Sequence, residues 1–378
     1  MELPRAVVEL AERVSNAGGR LYVVGGAVRD HVLGRPCGDI DLEVHGLDPE
    51  AVEALIGRSS TVGKSFGVYR VRMGRELIDV ALPQVGGEVR PHLGLAEAAR
   101  RRDLRLNALA WDVVGGEVVD PYGGLDDLER GVLRHVDEQT FAEDPLRGLR
   151  AVRFAVTLGM ELSPELAEVC RAQVLDEVPA ERQRPELHRI FASPEPGRGL
   201  RLLRELGLLR HLGGLGALDP AALEGLGELS RLDRVVAVWG LLLHGSDDRS
   251  WAEALNLGRY SGRNVRKQAE ALAGVLDAPP GVDDTALRRM AETAVVELTL
   301  PALAAIGVEV EDGVVRARRL GVLRQPLPVL LGGRELRAAG IEPGPGMGEV
   351  LAALREEQLC GRVVDRAAAV AWLKARSR

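Results

Sequence analysis

The sequence predicts an α+β protein in which a small mixed part comes first and a long helical part follows. Over residues 1–124, short apolar runs alternate with helical patterns and glycine turns, whereas Leu, Ala, Arg and Glu dominate with helical periodicity from about residue 125 onwards. Aromatic residues make up only 3% of the chain. The core must therefore be built from Leu, Val and Ala, which favours helices over a β-sandwich.

Length and composition exclude several classes of protein. A chain of 378 residues with 46% hydrophobic residues is long enough for two or more domains and apolar enough to fold. A net charge of −7 does not indicate a nucleic-acid-binding protein, although such binding depends on local patches. The three cysteines are far apart, which excludes a disulfide framework. Without a signal-peptide core or a run of about 18 apolar residues, we expect no membrane span and a cytoplasmic location.

The elements of the first part are predicted in chain order from apolar spacing and turn residues. They are a helix over 4–17, a strand over 20–24, a helix from residue 27, a strand over 38–44 and two strands within 68–82 that join near 74–75. A further helix and strand lead to Asp120-Pro121. In the helical part, boundaries are expected near 136, 193–199 and 277–283.

Two aspartates stand on the strand predicted over residues 38–44. Asp39 and Asp41 are two residues apart, so their side chains are expected on one face of the strand while Leu42 and its alternate neighbours point into the core. Adjacent carboxylates repel each other unless a cation lies between them, and Mg²⁺ prefers such oxygen ligands. A pair of these ions could activate an attacking hydroxyl and stabilise a leaving oxygen. The alternative is an ordinary exposed strand face.

A third aspartate, Asp79, alternates with the apolar residues of a later strand. It either shares the acidic face as a third catalytic carboxylate or is an ordinary solvated side chain, and both interpretations stay open at this stage.

A glycine turn precedes the aspartates. Gly25 and Gly26 follow the second predicted element and open a helix, so their backbone N–H groups are available to a phosphate, and Arg29 adds positive charge one turn later. The turn matches neither the GxGxxG pattern nor a Walker loop, so a dinucleotide fold and a P-loop lack support. A strand, a turn, a helix and an acidic strand together predict a nucleotide site.

Residues 101–109 read RRDLRLNAL and supply a further basic segment. Arg102 is expected to reach a triphosphate, while Asp103 and Asn107 are spaced to hold the local backbone. The alternative for this segment alone is the charged start of a helix.

Residues 143–155 read EDPLRGLRAVRFA and begin a long helix. Cytosine and adenine both present an amino group beside a ring nitrogen that accepts hydrogen bonds. Asp144 could accept from the amino group and Arg147 could donate to the ring nitrogen, which would select C or A. Arg150 and Arg153 continue the same face and are expected to meet phosphates. The alternative is a solvated helix face. The opposing apolar strip consists of Leu146, Leu149, Val152 and Val156.

Together these segments resemble the class II tRNA nucleotidyltransferase and bacterial poly(A) polymerase family. The resemblance covers residues 1 to about 210 in order, and the remainder is compatible only in being helical. The motifs that carry it are GGAVRD at 25–30, GDID at 38–41, RRDLRLNAL at 101–109, DPYGGLDDL at 120–128, EDPLRGLRAVRFA at 143–155 and ERQRPELHRIF at 181–191.

The resemblance implies a domain order and a set of site residues. A nucleotidyltransferase head like that of polymerase β would occupy 1–136, a neck that recognises the base 137–198, a helical body 199–280 and a tRNA-binding tail 281–378. Asp39 and Asp41 would bind Mg²⁺, at a two-ion site. Taken with the residues that the patterns alone single out, the catalytic candidates are Asp39, Asp41 and Asp79, and the nucleotide-binding candidates are Gly25, Gly26, Arg29, Arg102, Asn107, Asp144, Arg147, Arg150 and Arg153.

The implied activity is transfer of nucleotides from CTP or ATP to the 3′ end of tRNA with release of pyrophosphate. The stretch between Asp79 and Arg101 is shorter than in full CCA-adding members and looks like the CC-adding subgroup, whose product a separate enzyme completes with A. We therefore prefer CC addition to full CCA addition. A poly(A) polymerase is the nearest alternative, and a non-catalytic RNA-binding protein is the alternative from another class.

Two further segments bear on binding. The Arg-rich stretches 182–204 and 259–267 either contact RNA phosphates or are solvated helix faces. His244, in LLLHGSDD at 241–248, lacks a spaced histidine cluster and is read as a helix-end or core residue and not as a metal ligand.

Overall fold

The structure, a computed structural model, describes residues 1–57, 60–61, 67–73, 76–211, 218–246 and 250–376. The chain divides into two compact units, Met1–Pro179 with Leu202–His211 and Ala180–Arg201 with Leu212–Arg378. Within the described residues, no helix is both long enough and apolar enough to cross a membrane. The finer division into head, neck, body and tail stays a prediction.

The first unit contains strands and helices in alternation. In chain order they are α1 Arg5–Asn16, β1 Arg20–Val24, α2 Gly26–Val32, β2 Asp41–His45, α3 Pro49–Ile56, β3 Ser60–Thr61, β4 Val68–Met73, β5 Glu76–Ala81, β6 Gln84–Val85, β7 Glu88–Val89, α4 Leu95–Ala99, a 3₁₀ turn Arg105–Asn107, β8 Ala110–Asp112, β9 Glu117–Val119, α5 Gly124–Arg130, β10 Val132–Leu133, α6 Glu138–Ala142, α7 Leu146–Leu158, β11 Glu161–Leu162 and α8 Pro164–Arg171.

A seven-stranded mixed sheet in the order β3-β4-β5-β2-β1-β8-β9 organises this unit. Strand β2 runs antiparallel to β1 and parallel to β5. Its apolar residues Leu42 and Val44 are fully buried, and α1 covers the same core with Leu10 and its neighbours one turn away. The buried face therefore fixes which way the acidic residues of β2 point.

Most of the predicted elements of this unit are confirmed, including α1 and β1. The strand predicted over 38–44 is wrong at its start, because β2 begins at Asp41 and Asp39 lies in a bend before it. The reason is the register: Asp41 pairs with Val24, the last residue of β1, and the chain turns away at Gly25. Asp39 therefore has no strand residue to pair with. The predicted join at 74–75 lies outside the described residues.

The second unit is built mainly from helices. They are α9 Ala180–Phe191, α10 Pro196–Glu205 (which continues into the first unit), α11 Arg231–His244, α12 Ser250–Ala254, α13 Val265–Asp277, α14 Asp284–Thr293, α15 Val296–Ala305, α16 Gly313–Arg319, α17 Gly333–Ala338, α18 Pro345–Leu359 and α19 Arg366–Arg376, with a 3₁₀ turn at Pro220–Leu226. A further 3₁₀ turn, Leu208–His211, belongs to the first unit.

The predicted fold class is confirmed, with one correction. The part after residue 136 is not entirely helical, because β10 pairs with β11 across α6 and α7, and β12 Arg259–Tyr260 pairs with β13 Arg263–Asn264. The β12–β13 turn needs positive φ at Ser261 and Gly262, which an apolar helical pattern does not reveal.

Two features hold the second unit together around α11. Gly240 of α11 faces the buried Leu272 of α13 closely enough to leave no room for a side chain. Arg234 is 5% exposed, and all its hydrogen bonds go to backbone carbonyls, those of Ala192, Ser193, Leu226, Gly227 and Leu229. One guanidinium therefore ties the ends of α9 and of a 3₁₀ turn to α11.

The contact between α11 and α13 can be tested by a pair of glycine substitutions. A Cβ at Gly240 would lie 2.5 Å from Leu272 Cδ2 and 2.8 Å from its Cγ, so we expect Gly240→Ala to destabilise the protein by about 1–3 kcal/mol. Gly274 of α13 has nothing within 4 Å of its Cβ position, so Gly274→Ala should stabilise by up to about 1 kcal/mol. Urea denaturation measures both changes, and equal stability of the two variants would contradict the packing described.

Candidate active site

The three candidate carboxylates are placed around the start of β2. The register between the parallel strands β2 and β5 sets Asp41 directly beside Asp79, so both side chains leave the same face of the sheet. Asp39 is exposed and lies two residues before Asp41. Asp79 accepts hydrogen bonds from Arg70 at 2.8 and 3.0 Å. Asp79 therefore joins the acidic face, and an arginine fixes its orientation.

The electrostatics of Asp41 suit a bound cation. Partial burial raises the pKa of the Asp41 carboxyl, and the negative charges of Asp79 and Asp39 act in the same direction, while Arg102 opposes them. A hard divalent ion at Asp39 and Asp41 would relieve this repulsion, so the donor set fits such an ion. Within the part of the chain that the structure describes, no cluster of three or more His, Cys, Asp or Glu side chains is arranged to hold a metal.

The glycine turn lies next to these carboxylates, since Val24 pairs with Asp41. Gly25 has φ 77° and ψ −137°, a conformation that residues with a side chain rarely adopt. Its Cβ position would lie 3.6 Å from Arg102 Nη1, and that of Gly26 would lie 3.5 Å from Arg29 Nη2. The two predicted triphosphate arginines therefore flank the turn, as a phosphate site requires.

A buried network connects this turn to helix α7. Arg29 Nη1 donates to Asn107 Oδ1 at 2.8 Å, and Asn107 Nδ2 donates to Asp103 Oδ1 at 2.8 Å. The other oxygen of Asp103 accepts from Arg150 at 2.6 and 2.8 Å. Arg29 also donates twice to its neighbour Asp30. The network therefore runs from α2 through the 3₁₀ turn to α7.

Asp103 is the central member of this network and is 5% exposed. Burial alone would raise the pKa of its carboxyl, but Arg150 and the hydrogen bonds from Asn107 and the Leu104 amide outweigh burial and hold it below the usual range. The predicted role of Asp103 in holding local backbone is confirmed by the Leu104 contact at 2.9 Å. Its link to Arg150 was missed, because sequence spacing gives no sign of contacts between residues so far apart in the chain.

Phe154 is a second residue that sequence reasoning missed. Its ring is 7% exposed, and three guanidinium groups lie around it. The Cζ atoms of Arg153, Arg29 and Arg150 are 4.1, 5.0 and 5.9 Å from the ring centroid. Such cation–π contacts fix the position of an arginine without neutralising it. The sequence signal that could have identified Phe154 was an aromatic residue directly after the regularly spaced arginines of residues 143–155.

The two predicted base-reading residues lie at the start of α7. Asp144 Oδ1 accepts from the Leu146 amide at 3.2 Å, so it helps begin the helix. Arg147 donates to the carbonyls of Thr140 and, at 2.8 Å, Arg101. Burial lowers the pKa of the Arg147 guanidinium. The opposing strip of α7 is buried as predicted, and the role of Asp144 and Arg147 in base selection stays a prediction.

Two sequence families match the chain. Residues 21–134 match the poly A polymerase head domain, and residues 159–213 match the probable RNA and SrmB-binding site of polymerase A. The first match contains the carboxylates, the glycine turn and the network up to Asn107, and helix α7 lies between the two matches.

Curated relatives give a closer comparison. A CCA-adding enzyme of Geobacillus stearothermophilus is 32% identical over 288 residues, which are 71% of this chain and 70% of that protein. The chain belongs to the class II tRNA nucleotidyltransferase family. A multifunctional CCA protein of Xanthomonas campestris is 41% identical over 209 residues. That match covers 51% of this chain and 50% of the Xanthomonas protein, so the chain spans about half the length of that relative.

Solved structures of family members agree with the fold. The crystal structure of Bacillus stearothermophilus CCA-adding enzyme in complex with CTP superposes with a TM-score of 0.75 and 28% identity, covering 100% of this chain and 98% of that chain. The Thermotoga maritima CCA-adding enzyme complexed with tRNA shares the fold, with a TM-score of 0.73 and 24% identity over 98% of this chain and 95% of that one.

The central position of Asp103 can be tested by removing its charge. Asp103→Asn would remove the negative charge that Arg150 contacts, and we expect a loss of about 1–3 kcal/mol in the free energy of unfolding. Asp126→Asn is the matched control, because Asp126 is exposed and pairs with Arg130 one turn away, a contact worth about 0.5 kcal/mol. Chemical denaturation measures both, and a loss for Asp103→Asn no larger than the control would refute the assignment.

Proposed function

We propose that the chain is an enzyme that transfers nucleotides from CTP, and from ATP if the A is also added, to the 3′ end of tRNA and releases pyrophosphate. The observation that carries this proposal is the placement of Asp41 beside Asp79, next to a glycine turn flanked by Arg29 and Arg102. The CCA-adding relatives support the same activity.

We propose Mg²⁺ as the metal, held by Asp39 and Asp41. When bound, it supplies positive charge that polarises the phosphate oxygens and favours deprotonation of the attacking hydroxyl. Asp79 is the third catalytic carboxylate in this proposal, and its ion pair with Arg70 keeps it directed along the same face.

Separate residues of the chain then bind the triphosphate and orient the groups that contact it. The backbone at Gly25 and Gly26 accommodates the triphosphate, and Arg29 and Arg102 bind its negative charge. The RNA 3′ oxygen forms a bond to the α-phosphorus while the bond from that phosphorus to the pyrophosphate oxygen breaks. Because charge accumulates on the departing pyrophosphate, fixed arginines lower the barrier. Asn107 acts through Arg29, which it holds in place.

Base selection is proposed for the start of α7. Asp144 accepts from the amino group of C or A, and Arg147 donates to the adjacent ring nitrogen, whereas uracil and guanine present the reverse pattern. Arg150 and Arg153 support this face and hold positive charge near the phosphates. Their contacts to Asp103 and Phe154 favour a supporting role over direct base reading.

The extent of addition depends on the segment after Asp79. It is compact, consisting of the hairpin β6–β7, closed by Gly86-Gly87 at φ 60° and 84°, and the short helix α4. This compactness supports CC addition, with a separate enzyme adding the A, while the names of the relatives support complete CCA addition. A poly(A) polymerase would share the same head.

The second unit is proposed to bind tRNA, with its tail at 281–378. Within the Arg-rich stretches, several guanidiniums are already paired, such as Arg263 with Asp233 and Arg266 with Glu253 and Glu270. These ion pairs favour a modest contribution of the two stretches to the electrostatic part of tRNA binding.

The three cysteines are free, which supports action in the reducing cytoplasm.

The proposal is tested by incubating the protein with tRNA that lacks its CCA end and with CTP, ATP or both. We expect extension by two residues with CTP, and sequencing of the product shows whether an A follows when ATP is present. Asp41→Asn should reduce extension by at least about 100-fold, because it removes charge from the metal site. No extension by the wild-type protein would refute the proposal, and long A tails on unrelated RNA would favour the poly(A) polymerase.

Base selection is tested by Arg147→Ala. Loss of the donor to the ring nitrogen should lower the preference for CTP over UTP by about tenfold, within the range of one bidentate base contact. Glu143→Gln is the matched control, since Glu143 is exposed and stands just before the proposed pair. Competition between CTP and UTP gives the ratio directly, and an unchanged ratio for Arg147→Ala would remove that residue from the selection step.

A further inference from the structure

His45 is a buried ionisable residue on the acidic face of β2 that the proposed mechanism does not use. Its side chain is 10% exposed and lies on the same face of the strand as Asp41 and Glu43, because the three alternate with buried apolar residues. Tyr22 of β1 packs edge-on against the imidazole ring with centroids 5.4 Å apart. The ring is therefore held in one place at the end of β2 opposite Asp41.

Both nitrogens of this ring face oxygen atoms. Nδ1 is 2.9 Å from the Leu93 carbonyl, which can only accept, and Nε2 is 2.7 Å from Glu43 Oε1. The ring thus bridges a side chain of β2 and the backbone of the segment between β7 and α4. That segment is anchored a second time, since the Gly46 amide donates to the Pro91 carbonyl at 2.7 Å.

Glu43 continues the connection towards the nucleotide. Its second oxygen, Oε2, lies 3.7 Å from Arg102 Nη2, and its side chain is 13% exposed. The other terminal nitrogen of Arg102 is the atom that lies 3.6 Å from the Cβ position of Gly25. A continuous series of polar contacts therefore runs from the Leu93 carbonyl through His45 and Glu43 to the arginine at the glycine turn.

We infer that His45 and Glu43 are positioning residues that orient Arg102 towards the triphosphate and couple it to the backbone carbonyl of Leu93. The inference rests on the proposed function, since it assigns Arg102 to the nucleotide. Glu43 contacts one terminal nitrogen of the guanidinium while the other lies beside the turn, and His45 in turn fixes the carboxylate of Glu43 against the Leu93 carbonyl. Neither residue touches the reacting atoms.

The inference is tested by His45→Phe, which keeps a ring of similar size and removes both polar contacts. With saturating tRNA, the KM for CTP should rise about tenfold while kcat changes much less, because ground-state binding of the triphosphate is what weakens. His92→Phe is the matched control, since His92 belongs to the same segment but its side chain is 69% exposed. It should leave both constants unchanged.

A double variant separates a positioning role from a general effect on folding. If His45 acts through Arg102, then His45→Phe together with Arg102→Met should have no larger KM for CTP than Arg102→Met alone. Additive effects of the two substitutions would overturn the inference, as would a KM for His45→Phe equal to that of the control. A fall in kcat without a rise in KM would overturn it as well.

Two more variants keep the inference testable if His45→Phe unfolds. Glu43→Gln preserves the shape of the side chain and removes the charge beside Arg102, so it should raise the KM for CTP in the same way, and a KM equal to that of the wild type would overturn the inference. His45→Gln retains an amide donor for Glu43 and should recover part of the binding. Failure of the proposed function is distinct, because the wild-type protein would then not extend tRNA at all.

Discussion

The register of strand β2 between its two neighbours is the constraint on which the site depends. Val24 opposite Asp41 brings the end of β1, and hence the glycine turn, to the first residue of β2. Asp79 opposite Asp41 brings in the third carboxylate from β5. A shift of one residue would bury the acids and expose Leu42 and Val44, so the apolar core enforces the geometry of the polar face. The placement of the candidate catalytic carboxylates therefore depends on how the apolar face of β2 packs into the core.

The sequence predicted the fold class and the acidic residues of the polar face because the spacing of apolar residues and the residue types at turns are local properties of the chain. The alternation of polar and apolar residues predicted that Leu42 and Val44 point into the core. Gly25 marked the turn after β1, where the backbone has a positive φ that favours glycine. The start of β2 was misplaced because strand pairing depends on where the partner ends, and the partner ends at Val24. Composition does not reveal where a neighbouring strand stops.

The supporting contacts were beyond sequence reasoning for a different reason. Arg150 and Asp103 are 47 positions apart, and Arg29 and Asn107 are 78 apart, so their contacts arise only after α7 and α2 pack beside the 3₁₀ turn. Each residue looked like an ordinary charged side chain on its own. The roles assigned to Arg150 and to Arg147 were predicted from spacing along a helix, which gives the face but not the partner.

The ring of Phe154 has a consequence for how the protein manages repulsion between like charges. A carboxylate such as Asp103 holds an arginine by cancelling its charge, whereas the ring of Phe154 attracts Arg153 by its quadrupole and adds no negative charge of its own. Cations gathered in this way raise the local potential before any ligand arrives. An incoming polyanion would then meet several cations that a neutral ring already holds close together.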